Sequence, residues 1–247
     1  MSGSSKGKFV YCFIDEGNFR DFGIRGIKND SNVYTINYRD IAAVVSDEPL
    51  ETYIPYEQDI ETFQKVIERV MSEYTVIPVT FGTVAKNEKD ILDFLEGNYD
   101  AIKELIVNFK GKIEMGLRVF WNESGFLEDV ETDEIKRMKT ELVEKEPTQM
   151  ELLSLGEKVQ SVANMMRNIY KAEIFDKLLK IAKDGCLNDV TNPKMILNAA
   201  FLIEKNDKEQ FDEAVCNIYE KYSHKMIFKY SGPWPPYNFV KGINFNM

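Results

Sequence analysis

His224 is the single histidine among 247 residues, and that scarcity removes most familiar catalytic chemistry at once. A serine or cysteine nucleophile needs a neighbouring base, and nothing near His224 completes such a triad. Cys12, Cys186 and Cys216 are widely spaced and form no Cys-x-x-Cys pair, so with one histidine there is no zinc-ligand pattern. The three cysteines read as buried, reduced thiols. Gly17, Gly23 and Gly26 lie in a charged stretch without the Gly-Lys-Ser/Thr ending or the following helix start of a phosphate cradle. Carboxylates are plentiful, so a neighbouring pair such as Asp15 and Glu16 carries little information, and nothing points to a carboxylate-only hydrolase. The residues therefore predict no catalytic, cofactor-binding or metal site.

What remains is contact chemistry. The run Ser231-Gly-Pro-Trp-Pro-Pro-Tyr-Asn-Phe239 holds three prolines and three aromatics in nine residues. Proline fixes φ and lacks an N–H, and the residue before it is pushed to extended geometry. The run is excluded from helix and from an inner strand, so it reads as a stiff extended segment. Trp234, Pro235, Pro236 and Tyr237 then either strap their own domain or meet a partner. Phe81, Gly82 and Thr83 end a strand pattern and offer a second apolar contact, with Gly82 read as permitting close packing.

Lysine plus arginine number 31 and aspartate plus glutamate 41, a net charge of −10. That balance argues against nucleic acid and anionic membrane as partners and favours dispersion in water. With no apolar run of bilayer length and no signal peptide, the chain reads as cytoplasmic. Met1–Lys6 is small and polar and reads as a disordered lead.

The elements that position these residues follow from periodicity. Phe9–Ile14, Val33–Tyr38 and Ile41–Ser46 read as strands, with Asp15–Asn32 a loop between the first two. Asp47–Pro55 reads as a turn-rich connection. Ile60, Phe63, Ile67 and Val70 mark a helix over Tyr56–Glu73, and Val76–Val84 reads as an edge strand because of Pro78. Asn87 caps a helix that runs to Phe109, broken near Gly97. Ile113–Trp121 alternates as a half-buried strand. Glu128–Glu151 carries nine acids against four bases and reads as a solvated linker or helix face. A long helix begins at Pro147 and runs to Gly185, with Met150, Met165 and Met166 read as core filler. Cys186–Val190 and Met195–Ile203 read as strands, Asp207–Tyr222 as a helix and Lys225–Tyr230 as the last strand. From Ile113 the order is βαββαβ, that of a ferredoxin-like domain. The expectation is an α+β protein of two domains. Residues 1–110 form an N-terminal α+β domain. Residues 111–247 form a modified ferredoxin-like domain with a long helix, the acidic connection at 128–151 and the Pro/aromatic tail at 231–240.

Four segments together resemble the gas vesicle protein GvpF/GvpL family. They are Val33–Ile36 with Asp40–Asp47, Ile77-Pro-Val-Thr-Phe-Gly-Thr-Val84, Gly111–Trp121, and Gly232-Pro-Trp-Pro-Pro-Tyr-Asn-Phe-Val240 preceded by Leu197–Ile203. Thr80 stands where the family pattern has a basic residue. The resemblance implies an accessory protein of gas vesicle assembly, made of two α+β domains with a modified ferredoxin-like C-terminal one. It implies a partner, the hydrophobic shell protein of the GvpA type, and possible contact with other gas vesicle accessory proteins. Without a catalytic cluster, Phe81, Gly82, Thr83, Trp234, Pro235, Pro236 and Tyr237 become partner-binding candidates, in the cytoplasm and beside gas vesicles. The competing readings are a minor component of the vesicle wall and a small-molecule sensor or enzyme on a ferredoxin-like fold.

Overall fold

A computed structural model of the chain describes residues 6–28, 31–144 and 146–243. The expected N-terminal lead lies outside these residues apart from Lys6, which opens the first strand. The chain divides into two compact units, residues up to Ile113 together with those from Trp234, and Glu114–Pro233. The tail after Pro233 thus groups with the first unit, not with the C-terminal one as expected.

The first unit is built on β1 (Lys6–Ile14), β2 (Asp21–Arg25), β3 (Asn32–Tyr38) and β4 (Ile41–Pro49), followed by α1 (Glu57–Met71), β5 (Ile77–Pro78), β6 (Val84–Ala85), α2 (Glu88–Gly97) and α3 (Tyr99–Phe109). The sheet runs β2-β3-β4-β1-β5, with β6 also on β1, and these strands pair antiparallel. β2 is a correction to the loop expected over Asp15–Asn32. Its charged ends and central Gly23 hide a strand that only pairing with β3 reveals.

β1 carries both cores. Its register against β4 shifts between Val10 and Cys12, leaving Tyr11 as an extra residue. A one-residue bulge flips every later side chain to the other face. Phe9, Tyr11, Cys12 and Ile14 therefore share one core with Phe63, Val66, Ile67 and Val70 of α1, while Phe13 stacks on Phe94 of α2, with ring centroids 5.3 Å apart. Each such fully buried aromatic contributes about 1.5–3 kcal/mol. Tyr11 keeps its hydroxyl satisfied by accepting from the Ile27 N–H and bonding Ser46 Oγ.

The second unit contains β7 (Lys112–Trp121), α4 (Glu123–Val130), α5 (Asp133–Val143), α6 (Gln149–Tyr170), α7 (Asp176–Leu179), β8 (Asp184–Leu187), β9 (Met195–Glu204), α8 (Lys208–Tyr222) and β10 (Met226–Trp234), in the sheet order β10-β7-β9-β8. β7 alternates as its pattern predicts, with Ile113, Met115, Leu117, Val119 and Trp121 buried. α8 buries Phe211, Val215, Ile218 and Tyr222. The long helical pattern is α6, a π-helical turn over Lys171–Phe175 and α7.

The acidic stretch is helix face rather than linker, running through α4, α5 and the start of α6. Asn122 and Thr132 cap α4 and α5 through their side chains, and a Thr148/Glu151 capping box starts α6. Asp129, from that stretch, is half-buried, with its side chain 5% exposed. It accepts from Trp121 Nε1 at 2.9 Å, Lys225 Nζ at 2.9 Å and the Tyr170 hydroxyl. Burial and the Asp129 carboxylate push the Tyr170 hydroxyl up to about 12. Burial works against the Lys225 charge, but Tyr170 and Asp129 outweigh it and hold the ammonium above its usual range. α4 sits so close to the start of β10 that a β-carbon at Gly125 would lie 2.1 Å from the Lys225 carbonyl oxygen. Other expectations fail locally. Met150 and Met165 are exposed rather than core. Cys216 is exposed and Cys186 half-buried, leaving Cys12 as the buried thiol.

Removing one partner of a buried ion pair costs about 3–5 kcal/mol. Asp129→Ala should lower the urea-derived stability by about 3 kcal/mol. Adding Lys225→Met should recover part of that loss, because the orphaned charge is gone. Strictly additive losses would contradict the assigned pair.

A second prediction concerns acid. Glu16 accepts from Arg20 Nε, the Asn18 N–H and the Tyr74 hydroxyl. Arg20 first, then the Asn18 amide, lower its pKa from 4.5 to about 2. A depressed carboxylate stabilises fully above its unfolded value, so this contribution fades as pH falls from 4.5 toward about 2. Between pH 6 and pH 3, denaturation midpoints should fall further for the wild type than for Glu16→Gln. Equal falls would contradict the assignment.

Candidate functional site

The expected strand over Val76–Val84 is interrupted, and the interruption makes a surface. Cys12 pairs with Pro78 and Phe9 with Val84. Val10 and Tyr11 thus face the five residues Val79–Thr83. The surplus leaves the sheet as a turn closed by Thr83 N–H to Thr80 O at 3.3 Å, and Val10 N–H takes the Thr83 carbonyl at 2.9 Å as the ladder resumes. Gly82 holds φ +86° at the third position of that turn, where a left-handed residue is required. Its role is therefore conformational. The space around it is ordinary, since a β-carbon would sit 3.5 Å from the Tyr53 carbonyl oxygen.

Phe81 points inward from the turn. It is half-buried, with ring centroids 5.7 Å from Phe9 and 5.5 Å from Phe63. Thr83 returns its hydroxyl to the Thr80 carbonyl. Trp234 ends β10 half-buried, Pro235 and Pro236 are buried, and Tyr237 is exposed. Tyr237–Phe239 forms a 3₁₀ turn, so the tail is not extended throughout. Most of the apolar area of the seven candidates is thus used inside the fold. Both segments belong to the first unit.

Exposed apolar residues also occur in 50–56, the segment whose Tyr53 lies against Gly82. Leu50, Ile54 and Tyr56 are 38%, 59% and 63% exposed. Leu50 and Ile54 fall in the expected turn-rich connection, and Tyr56 at the start of the expected helix Tyr56–Glu73. The available signal was Leu50, Tyr53 and Ile54 bracketed by Pro49 and Pro55, where a solvated loop would carry polar residues. Proline at 55 holds Ile54 extended. Tyr53 anchors the segment from beneath: its ring meets Phe9 edge-on at 5.0 Å, and its hydroxyl donates to the Pro49 carbonyl at 2.9 Å. Burial, then the charges of Glu48, Glu51 and Asp59, raise the Tyr53 pKa, so it stays a neutral donor. Lys28 sits 5.2 Å over the Tyr53 ring and 3.6 Å from Asp59.

Among the described residues no three His, Cys, Asp or Glu are placed to hold a metal, and no helix is long and apolar enough to cross a membrane. A cleft of about 410 Å³ beside α6 is lined by Asn164, Arg167, Asn188 and Asn198, with no aspartate or glutamate in its lining. Arg167 is committed to the fold. It donates to the Met195 and Pro193 carbonyls and to Asn164, and lies 5.4 Å over the Trp121 ring.

Residues 7–241 match the family described as gas vesicle synthesis protein GvpL/GvpF. This chain belongs to the GvpL/GvpF family. Gas vesicle protein F of Haloferax mediterranei is 25% identical over 238 residues, spanning 94% of this chain and 92% of that one. Gas vesicle protein L1 of Halobacterium salinarum is 22% identical, spanning 97% and 92%. The crystal structure of the gas vesicle protein GvpF from Anabaena sp. PCC7120 superposes with a TM-score of 0.80 at 22% identity, covering 97% of this chain and all of that one. The fold of this chain, mixed helix and sheet with two antiparallel sheets, matches that of the GvpF structure.

Gly82→Ala places a β-carbon on a left-handed residue and should cost about 1 kcal/mol. Ile54→Ser, on the exposed surface, should stay within about 0.5 kcal/mol of wild type. Urea titration of both checks the distinction between turn and surface. A larger loss for Ile54→Ser would mean that this residue packs within the fold.

Proposed function

We propose that this chain holds the hydrophobic gas vesicle shell protein, of the GvpA type, and delivers it to the growing vesicle. No bond is made or broken in this role, and no cofactor is used. The observation that carries the reading is the apolar edge of Leu50, Ile54 and Tyr56 beside the Gly82 turn, in a chain of net charge −10. A subunit with a large apolar face aggregates unless that face is covered. A carrier for it needs an apolar patch and a charged exterior that keeps the complex dispersed. The relatives' names tie the family to gas vesicles, and their shell is the natural source of such a cargo. The work takes place in the cytoplasm, beside vesicles under construction. Trp234, Pro235 and Pro236 act in this reading mainly as a strap of the first unit, with Tyr237 at its exposed end.

We also read the second unit as a modified ferredoxin-like domain. The order β10-β7-β9-β8, with helices between β7 and β8 and between β9 and β10, supports it. We read the first unit as a separate α+β domain, which its own strands and helices and its division from the second unit support.

Co-expression with the shell protein tests the carrier role. Wild-type protein should raise the soluble fraction of the shell protein and co-purify with it. Ile54→Ser combined with Tyr56→Ser should lose both effects while melting normally, whereas Trp234→Ala should lower the melting temperature and retain binding. An insoluble shell protein with no co-purification would overturn the carrier role.

A further inference from the structure

The first three turns of α6 carry apolar residues that the fold does not bury. No residue from Gln149 to Ser161 is buried, yet Met150, Leu152 and Leu153 are 80%, 51% and 62% exposed. A shallow, open groove on α6 itself is lined by Leu152, Leu153, Gly156, Glu157, Gln160, Ser161 and Asn164. Gly156 sharpens the point. Glycine is unfavourable against alanine inside a helix, and a β-carbon at 156 would meet nothing within 4 Å. No neighbour within the fold requires the gap.

Glu157 lines this face, Glu141, Glu144 and Glu146 in the segment leading into α6 are exposed, and Glu128–Glu151 carries nine acids against four bases. Lys158, on the same helix, is paired with Glu134 at 2.7 Å.

We propose that this face docks an amphipathic helix of a partner protein, apolar on one side and flanked by lysine or arginine. Charge complementarity selects that occupant. The same charge disfavours a second copy of this chain, whose net charge is −10. A large apolar side chain of the partner seats in the gap at Gly156, between Leu153 and Gln160, in the helix-in-groove manner. This site is independent of the shell-protein reading. It lies in the second unit, whereas Ile54 and Tyr56 lie in the first.

The test is fluorescence anisotropy of a labelled synthetic helix, leucine on one face and lysine on the flanks, titrated with the full-length protein. A twin peptide with glutamate for lysine is the control. The lysine peptide should bind, and binding should weaken with added salt. Gly156→Leu and Leu153→Asp should each weaken it about tenfold or more, while Ile54→Ser leaves it unchanged. Gly156→Ala guards against misfolding as an explanation, because it should raise the melting temperature and still weaken binding. Absence of binding, equal binding by the glutamate twin, or unchanged affinity in the Gly156 and Leu153 variants would overturn the proposal. A wild-type dimer in sedimentation that dissociates in Leu153→Asp would also overturn it, in favour of self-association.

Discussion

The register of β1 is the constraint on which the first unit depends. One strand must pair with β4 along its length and with β5 and β6 on its other side, while lining a core on each face. Neither demand is met by a regular ladder. On the β4 side the extra residue Tyr11 lets Phe9 and Ile14 share one core and turns Phe13 toward Phe94. On the other side the extra length goes to Val79–Thr83, which has to leave the sheet. The Gly82 turn is the result. It brings the edge of the sheet against Tyr53 and so against the exposed residues of the 50–56 connection. The candidate surface is thus a consequence of strand pairing, not an appendage to it.

The second unit meets a different demand. Its acidic segment must fold without an apolar stripe of its own, and it does so through side-chain caps and one buried carboxylate. Asp129 gathers an indole, a phenol and an ammonium from β7, α6 and the residue before β10. In a low-dielectric setting a fully partnered group of this kind specifies one arrangement, and a half-partnered one is costly. α5 and the start of α6 extend beyond that anchor with little apolar burial of their own.

Legibility in the sequence followed the range of the interaction. Local periodicity reached β7 and α8, whose buried faces lie on the predicted positions, and the break near Gly97 separates α2 from α3. The caps at Asn122 and Thr132 were also local, but an acidic composition masked them. What could not be read was non-local. β2 exists through its pairing with β3, and the Asp129 side chain is buried against Lys225, 96 positions away in the chain. Of the candidate surface, Phe81, Gly82 and Thr83 form a turn in which Phe81 faces inward, Ile54 lies in a connection without periodicity, and Tyr56 precedes the first buried position of α1. The Pro/aromatic tail was legible as stiff, while its assignment to the first unit was not, because a tail's docking is set by tertiary contacts.

The most direct measurement is site-specific photocrosslinking in cells that make gas vesicles. The photoreactive residue would stand at position 54, with position 107 as the control, since Val107 on α3 is also exposed, at 69%. The account predicts a crosslink to the shell protein from position 54 and none from position 107. A crosslink from 107 alone, or from neither position while vesicles form normally, would contradict it.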